Sequence, residues 1–373
     1  MSSIRGIWKR FLKRIWSKTW SPGEVKKYLG NLKGVYLSYA AKVEVRDGAA
    51  SGGSVSAILI HLLEEGAIDG AVVLRNEIGD EGVRPRFILA RSAEDILSAR
   101  GSKYSAVRFT HDAFPLVKEF HGQVALVALP CDAKIIHEHR KRDSEFNRKV
   151  SLVITLFCGH NSLPLLTDRV VESLVPTGRT VRSFVYRSGH WRGRLKIRLE
   201  NDREIDKPFS VFSDYQNLYF FSQRKCHYCF DHTGYFGDIS AGDIWSPEMR
   251  EHPVKHTALL SRTDMGEATI QSAFRKGALT GEPISPIDVL NGQARTLPFH
   301  YNITARAKVG RLFGERIKDP LNESVRWNEY LVAIIVMFNE RVSRTRLGKA
   351  LIFRIPRPLL RLYLYFLKGL ESL

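Results

Sequence analysis

Two stretches decide the fold: Val124-Ala125-Leu126-Val127-Ala128-Leu129-Pro130-Cys131 and Val150-Ser151-Leu152-Val153-Ile154-Thr155-Leu156-Phe157-Cys158. Each is a short, strongly apolar run bounded by turn or charged residues, the pattern of a strand covered on both faces in a parallel sheet. A charged helix from about Asp132 to Arg142 fits between them. Ligands of an open parallel sheet collect beyond the carboxyl ends of its strands, and here a cysteine follows each strand. As parallel neighbours, the two strands would deliver Cys131 and Cys158 to one edge.

The same alternation continues on both sides. Val35–Ala40 reads as a strand, Ser51-Gly52-Gly53-Ser54 opens a helix running to Glu65, and Ile68–Leu74 is an apolar strand. Helices fit Ala93–Ala99, Phe114–Phe120 and Leu163–Leu174. After Gly178 the texture changes, with Val181–Arg187 and Arg194–Glu200 reading as paired strands around a Gly-His-Trp-Arg-Gly turn. A helix–loop region then carries Cys226 and Cys229, followed by a strand at Ala258–Arg262 and a helix at Gly266–Lys276. The expected fold class is α/β. It comprises a mixed or mostly parallel sheet core with helices, a smaller α+β part carrying a C-x-x-C loop, and amphipathic terminal helices. The expected divisions are a basic helix at 1–22, an α/β domain at 34–178, a second domain at 179–310 and basic, apolar helices at 320–373.

Composition is ordinary for a globular chain except for a net charge of +18. Residues 1–22 carry Arg5, Lys9, Arg10, Lys13, Arg14 and Lys18 with no acid. Residues 341–373 carry eight basic residues against Glu371, so the two ends hold 13 of the 18 excess charges. In the first segment Ile4, Ile7, Trp8, Phe11, Leu12, Ile15 and Trp16 share one helical face, and Ser21-Pro22-Gly23 is expected to end that helix. Such segments suit an anionic membrane surface, or else cover the protein's own core. No nucleic-acid module is recognisable, and basic ends alone do not define one. No signal peptide or run of about 20 apolar residues is found, so a cytoplasmic setting with reduced thiols is expected, with peripheral attachment at the inner face of the cell membrane as an option.

The chain has four cysteines, too few for a disulfide framework. Cys226-His227-Tyr228-Cys229 lets one loop present two sulfurs, and with Cys131 and Cys158 makes four thiols. Four thiolates suit a 4Fe–4S cluster or zinc. A thioredoxin-like dithiol is disfavoured, because it would sit at a helix start after the first strand. Spacing alone does not separate zinc from iron–sulfur.

Several further pieces stand in a fixed order. They are Ala50-Ser51-Gly52-Gly53, Glu65-Gly66-Ala67-Ile68-Asp69-Gly70-Ala71-Val72, Gly101-Ser102-Lys103-Tyr104, Leu129-Pro130-Cys131 and Leu156-Phe157-Cys158-Gly159-His160. Tyr186-Arg187 with Trp191 and Gly193, Lys225-Cys226-His227-Tyr228-Cys229 and Asp238-Ile239-Ser240-Ala241-Gly242-Asp243-Ile244-Trp245 follow. Over roughly residues 34–265 the chain thus resembles the family of coenzyme F420 hydrogenase/dehydrogenase beta subunits, whose members are iron–sulfur flavoproteins. The resemblance implies that Cys131, Cys158, Cys226 and Cys229 ligate one 4Fe-4S cluster and that the flavin is FAD. It implies a flavin site lined by Ser51, Gly52, Gly53 and Ser54 and by Ser102, Lys103 and Tyr104. Glycines before a helix let backbone N–H groups approach a phosphate, and Lys103 would sit by the flavin's N1/O2 edge or a phosphate.

The chain departs from the family pattern in three respects. It has no cysteines for a second cluster, carries Asp132 where a Gln often follows Pro-Cys, and has Ser105-Ala106 where a Gln follows Lys-Tyr. No G-x-G-x-x-G follows a strand, so a Rossmann nicotinamide site is not supported. The expected function is an oxidoreductase passing electrons between a hydride donor, with coenzyme F420 as a candidate, FAD and the cluster, and onward to or from a protein partner. No acid or base is assigned, since hydride transfer at a flavin need not use one. The alternative is a non-catalytic, metal-stabilised accessory protein of a membrane-associated or surface-polysaccharide pathway.

Overall fold

The computed structural model describes residues 20–190, 193–246, 249 and 252–373. The expected helix at 1–22 lies, but for its last residues, outside them. Within the described residues Ser21 begins a helix, Pro22–Leu29, with a complete capping box to Glu24 and Pro22 in the first turn.

The strands are β1 (Gly34–Ala40), β2 (Gly70–Gly79), β3 (Gly82–Ala90), β4 (Val124–Ala128), β5 (Val150–Leu156), β6 (Val181–Ser188), β7 (Arg194–Leu199), β8 (Glu204–Pro208), β9 (Ile239–Asp243), β10 (Thr257–Ser261) and β11 (Leu279–Pro283). Eight of them form one mixed sheet in the order β11-β1-β10-β9-β5-β4-β2-β3. Its centre is parallel: β2 beside β4, β4 beside β5 and β5 beside β9. Antiparallel pairs flank it on both sides. Strands from either side of residue 178 share this sheet, while β6, β7 and β8 make a separate antiparallel sheet.

Helices cover both faces, which explains the continuous apolar strands. On one face Ser54–Glu64 and Asp264–Arg275 bury Ile58, Leu59 and Ile270 against Ile154, Ile239 and Leu259. On the other, Phe114, Ile136 and Phe146 close over Leu126 and Val153. Each such side chain contributes about 1.5–3 kcal/mol relative to exposure. A second core joins β6 and β7 to helices Pro164–Leu174, Trp327–Arg344 and Arg357–Ser372 through Tyr186, Phe212, Val336 and Leu367.

Candidate functional site

β4 and β5 pair in parallel, so both follow-on cysteines arrive at the same sheet edge. Pro130 opens helix Pro130–Arg140 and places Cys131 in its first turn. Cys158 follows the end of β5, where Phe157 N–H donates to Ala241 at 2.8 Å and Cys158 N–H to His232 at 3.0 Å. Gly242 is required here, because a Cβ would collide with the Phe157 ring. Cys226 lies in the short 3₁₀ turn Arg224–Tyr228, and Cys229 caps it. Asn161 N–H approaches Cys226 Sγ at 3.4 Å.

Each thiol pKa is pushed up, first by burial. For Cys131, Cys158 and Cys229, neighbouring cysteines add to the effect, and Cys229 rises to about 12. The four sulfurs therefore lie within mutual electrostatic reach. They do not crowd round a point: among the described residues, the one trio of His, Cys, Asp or Glu ligand atoms within 4.8 Å of one another is His227, Glu315 and Glu340. Four thiolates on one zinc ion, with Zn–S about 2.3 Å, would stand about 3.8 Å apart.

Positive charge backs this pocket. Arg306, buried under Phe299 at 4.3 Å, donates to the carbonyls of Cys226 at 2.9 Å, His227 at 2.8 Å, Cys229 at 2.8 Å and His300 at 3.1 Å. Burial lowers its pKa to about 10, against the pull of Cys229, which leaves it charged at neutral pH. Lys225 reaches buried Asp132 at 3.4 Å. Behind the loop, His227 contacts Glu315 at 3.4 Å and Arg224 holds Glu315 at 2.8 Å, while Arg344 pairs with Glu340.

Further along the same edge lies a cationic ledge. Arg187, at the end of β6, is buried and donates to Asp243 at 2.7 Å, the Tyr104 hydroxyl at 3.1 Å and the Ala50 carbonyl at 3.1 Å. Its guanidinium sits 4.7 Å from the Trp245 ring centroid, and its Nε is buried without a hydrogen-bond partner among the described residues. Burial opposes its charge, but Asp243 and Tyr104 outweigh that and raise its pKa. Lys255 donates to Ala49 at 2.6 Å and Ala50 at 3.2 Å. Burial, and then Arg187, lower its pKa to about 8.

The glycine loop is anchored between these cations. Ser51 donates to His256 at 2.6 Å, Gly52 N–H to Thr257 Oγ1 at 3.0 Å, and Gly53 takes φ +79° at the start of helix Ser54–Glu64. The Ser54 hydroxyl pairs with Ser38 at 2.9 Å inside the core. Ser102 lies between Gly101 and Lys103 at partial exposure. Lys103 turns back onto the carbonyls of Ala99, Arg100 at 2.9 Å and Gly101 at 3.0 Å, closing the end of helix Ala93–Ser98. Burial lowers its pKa to about 7. Tyr104 packs on Tyr186 and Phe209.

The ledge and the thiol pocket are linked. Gln293 donates to the Asp243 carbonyl at 2.5 Å and meets His232 at 2.9 Å, and His232 contacts the Cys158 carbonyl at 3.1 Å. Arg306, Lys255 and Gln293 carried no motif in the sequence. Arg187 and Asp243 stood in quoted segments, with nothing to show that they pair.

Two family models match the chain in sequence order, both of the coenzyme F420 hydrogenase/dehydrogenase beta subunit. The N-terminal model matches residues 35–111 and the C-terminal model residues 121–287. Together they span more than half of the chain. The chain belongs to this family. It is 28% identical over 61% of its length to a protein of the F(420)H(2) dehydrogenase of Methanosarcina mazei. It is 25% identical over 69% to a Methanococcus voltae protein, the coenzyme F420 hydrogenase beta subunit. It is 29% identical over 67% to a coenzyme F420-dependent sulfite reductase of Methanocaldococcus jannaschii. It spans 60%, 87% and 38% of these relatives respectively. In fold it resembles a chain of the F420-reducing NiFe hydrogenase complex from Methanosarcina barkeri, with TM-score 0.60, 22% identity and coverage of 81% of this chain and 99% of that one.

Proposed function

We propose that this protein is an iron–sulfur flavoprotein oxidoreductase that passes electrons between a hydride donor, FAD and one 4Fe-4S cluster, and exchanges them with a protein partner. The observation that carries the reading is the convergence of four thiols from three separate parts of the chain, beside a cationic ledge on the same sheet edge. Cys131, Cys158, Cys226 and Cys229 would hold the cluster. The spread of their sulfurs suits a cluster better than one zinc ion, and Arg306 and Lys225 offset thiolate charge.

The ledge fits an anionic dinucleotide. Arg187 offers a buried Nε with no partner among the described residues, Lys255 a second cation, and Tyr104 and Trp245 supply aromatic surface beside the loop of Ser51, Gly52 and Gly53. Ser102 and Lys103 would shape its far wall, with Lys103 fixing the turn. When bound, the flavin supplies conversion between two-electron and one-electron transfer. The chain's own part is to hold both centres on one rigid edge and shield them from water. Coenzyme F420, carried in the names of the relatives, is the donor to test first, and a reducing cytoplasm, where thiols stay out of disulfides, is the proposed setting.

Purification without oxygen, followed by iron, sulfide, zinc and flavin counts and an absorption spectrum, tests the proposal. About four irons per chain with one FAD is the expected result. Stoichiometric zinc, or neither metal nor flavin, overturns it.

A further inference from the structure

The helices Trp327–Arg344 and Arg357–Ser372 form an antiparallel hairpin on the flank of the protein. Asn328 donates to the Leu370 carbonyl at 2.9 Å, Arg326 to the Leu373 carbonyl at 2.7 Å and Tyr363 to Asn339 at 2.8 Å. Its inner side is a core face, with Val332, Val336, Leu360 and Leu367 buried.

The outer side is apolar too, and its side chains are exposed. On the first helix Trp327, Leu331, Ile334 and Phe338 recur at helical spacing, and Trp327 is 64% exposed. On the second, Leu359, Leu362, Tyr365 and Phe366 do the same, with Leu362 66% exposed. At 100° per residue the second stripe falls in an arc shared only with Pro358, Gly369 and Leu373, none of them charged. The connector Arg346–Leu351 continues the face, exposing Leu347 and Leu351 beside an apolar groove that also takes in Phe338, Ile355 and Tyr363. An apolar surface this extended marks an interaction site.

The charges beside it identify the occupant. Residues 341–370 contain no acid. Several of the cations there are engaged by the protein: Arg357 and Arg361 hold Asp214, Arg344 holds Glu340, and Lys368 pairs with Glu371. Arg346, Lys349 and Arg354 differ, since they make no ion pair among the described residues and flank the exposed leucines. A second copy seated on this face would bring two such basic rims together, which like-charge repulsion opposes. An anionic bilayer meets both features at once, taking the leucine and aromatic stripe into its interface and the free cations at its headgroups. Trp327 and Tyr365 are residues that favour that depth.

We propose that the outer face of this hairpin docks on an anionic phospholipid surface, with Leu362 and Phe366 entering the interface and Arg346, Lys349 and Arg354 reading its charge. Among the described residues no helix is long and apolar enough to cross a membrane, so attachment is in the plane. The inference does not depend on which cofactors the protein holds.

Co-sedimentation of the full chain with phosphatidylcholine vesicles, with and without a quarter of phosphatidylglycerol, tests it. Binding at least about tenfold tighter to the anionic vesicles is expected. L362E/F366E should lose at least about tenfold of that binding at unchanged melting temperature. R346Q/K349Q/R354Q should abolish the preference for anionic lipid while leaving the weak binding to neutral vesicles. Three results overturn the proposal. One is no vesicle binding. Another is a dimer, seen by sedimentation velocity, that L362E/F366E dissociates, which makes the face an interface between copies. The third is a marked fall in stability of L362E/F366E without vesicle binding, which means that the chain itself covers the face.

Discussion

The thiol pocket and the cationic ledge share one sheet edge but are built in opposite ways. The pocket takes one residue type from three chain regions and is locked by backbone: Arg306 donates to four carbonyls. The ledge takes several residue types and is locked by side chains, with Arg187 joining Asp243 and Tyr104 as well as Ala50. A cluster would demand fixed ligand positions, which backbone-locked loops can supply; a dinucleotide would be held by many weaker contacts, which a ledge of several side-chain types can offer. The two should therefore fail separately.

The largest effect tests the pocket. Cys226→Ser should drop iron from about four per chain to near zero, seen in the metal count and the visible spectrum, while FAD remains bound. Loss of both groups together would show that pocket and ledge are one cooperative unit. Arg306→Met should come next: four buried carbonyls lose their donor, for a cost of about 3–5 kcal/mol in denaturant unfolding. Arg306→Lys should recover part of it, because an ammonium still donates but lacks the planar fork.

This contrast also explains what the sequence could reveal. The thiols were legible because only four cysteines exist and two directly follow apolar strands. β4 and β5 were legible because helices on both faces leave them almost wholly apolar, with Ser151 and Thr155 the two polar residues among their twelve. β3 was missed because it is an edge strand holding Arg84, Pro85 and Arg86, residues an edge tolerates. β9 was missed because Ser240, Gly242 and Asp243 hide a strand whose pairing with β5 comes from tertiary structure. In the ledge, Arg187 and Lys255 are two of 57 basic residues, and only the fold shows that both close on the Ala50 carbonyl. The C-terminal segment reads as basic, apolar helices, but which arc stays exposed depends on where Leu360 and Leu367 find a core.

The ledge has its own test. Arg187→Gln keeps much of the volume and removes the charge, so flavin affinity should fall roughly 10- to 100-fold while the iron count stays unchanged. Fluorescence of released flavin against total iron separates the two. An equal fall in both would place Arg187 in the scaffold of the whole edge.

The smallest effect is a pH dependence that follows from Lys255. Its pKa is held at about 8 by burial and then by Arg187, against about 10.4 in an unfolded chain. Between these values the unfolded chain binds the proton and the folded one does not, so Lys255 makes stability rise with pH across that window. Below about pH 8 both states are protonated, and the cost of burying the charge persists. Measured as the difference between the parent protein and Lys255→Met, the rise from pH 8 to 10 should be on the order of 1 kcal/mol, discounted for partial exposure. In an Arg187→Gln background the repulsion disappears and the rise should shrink. A rise of the same size in both backgrounds would mean that burial alone sets the Lys255 shift, leaving Arg187 and Lys255 as independent cations instead of a coupled pair holding one loop.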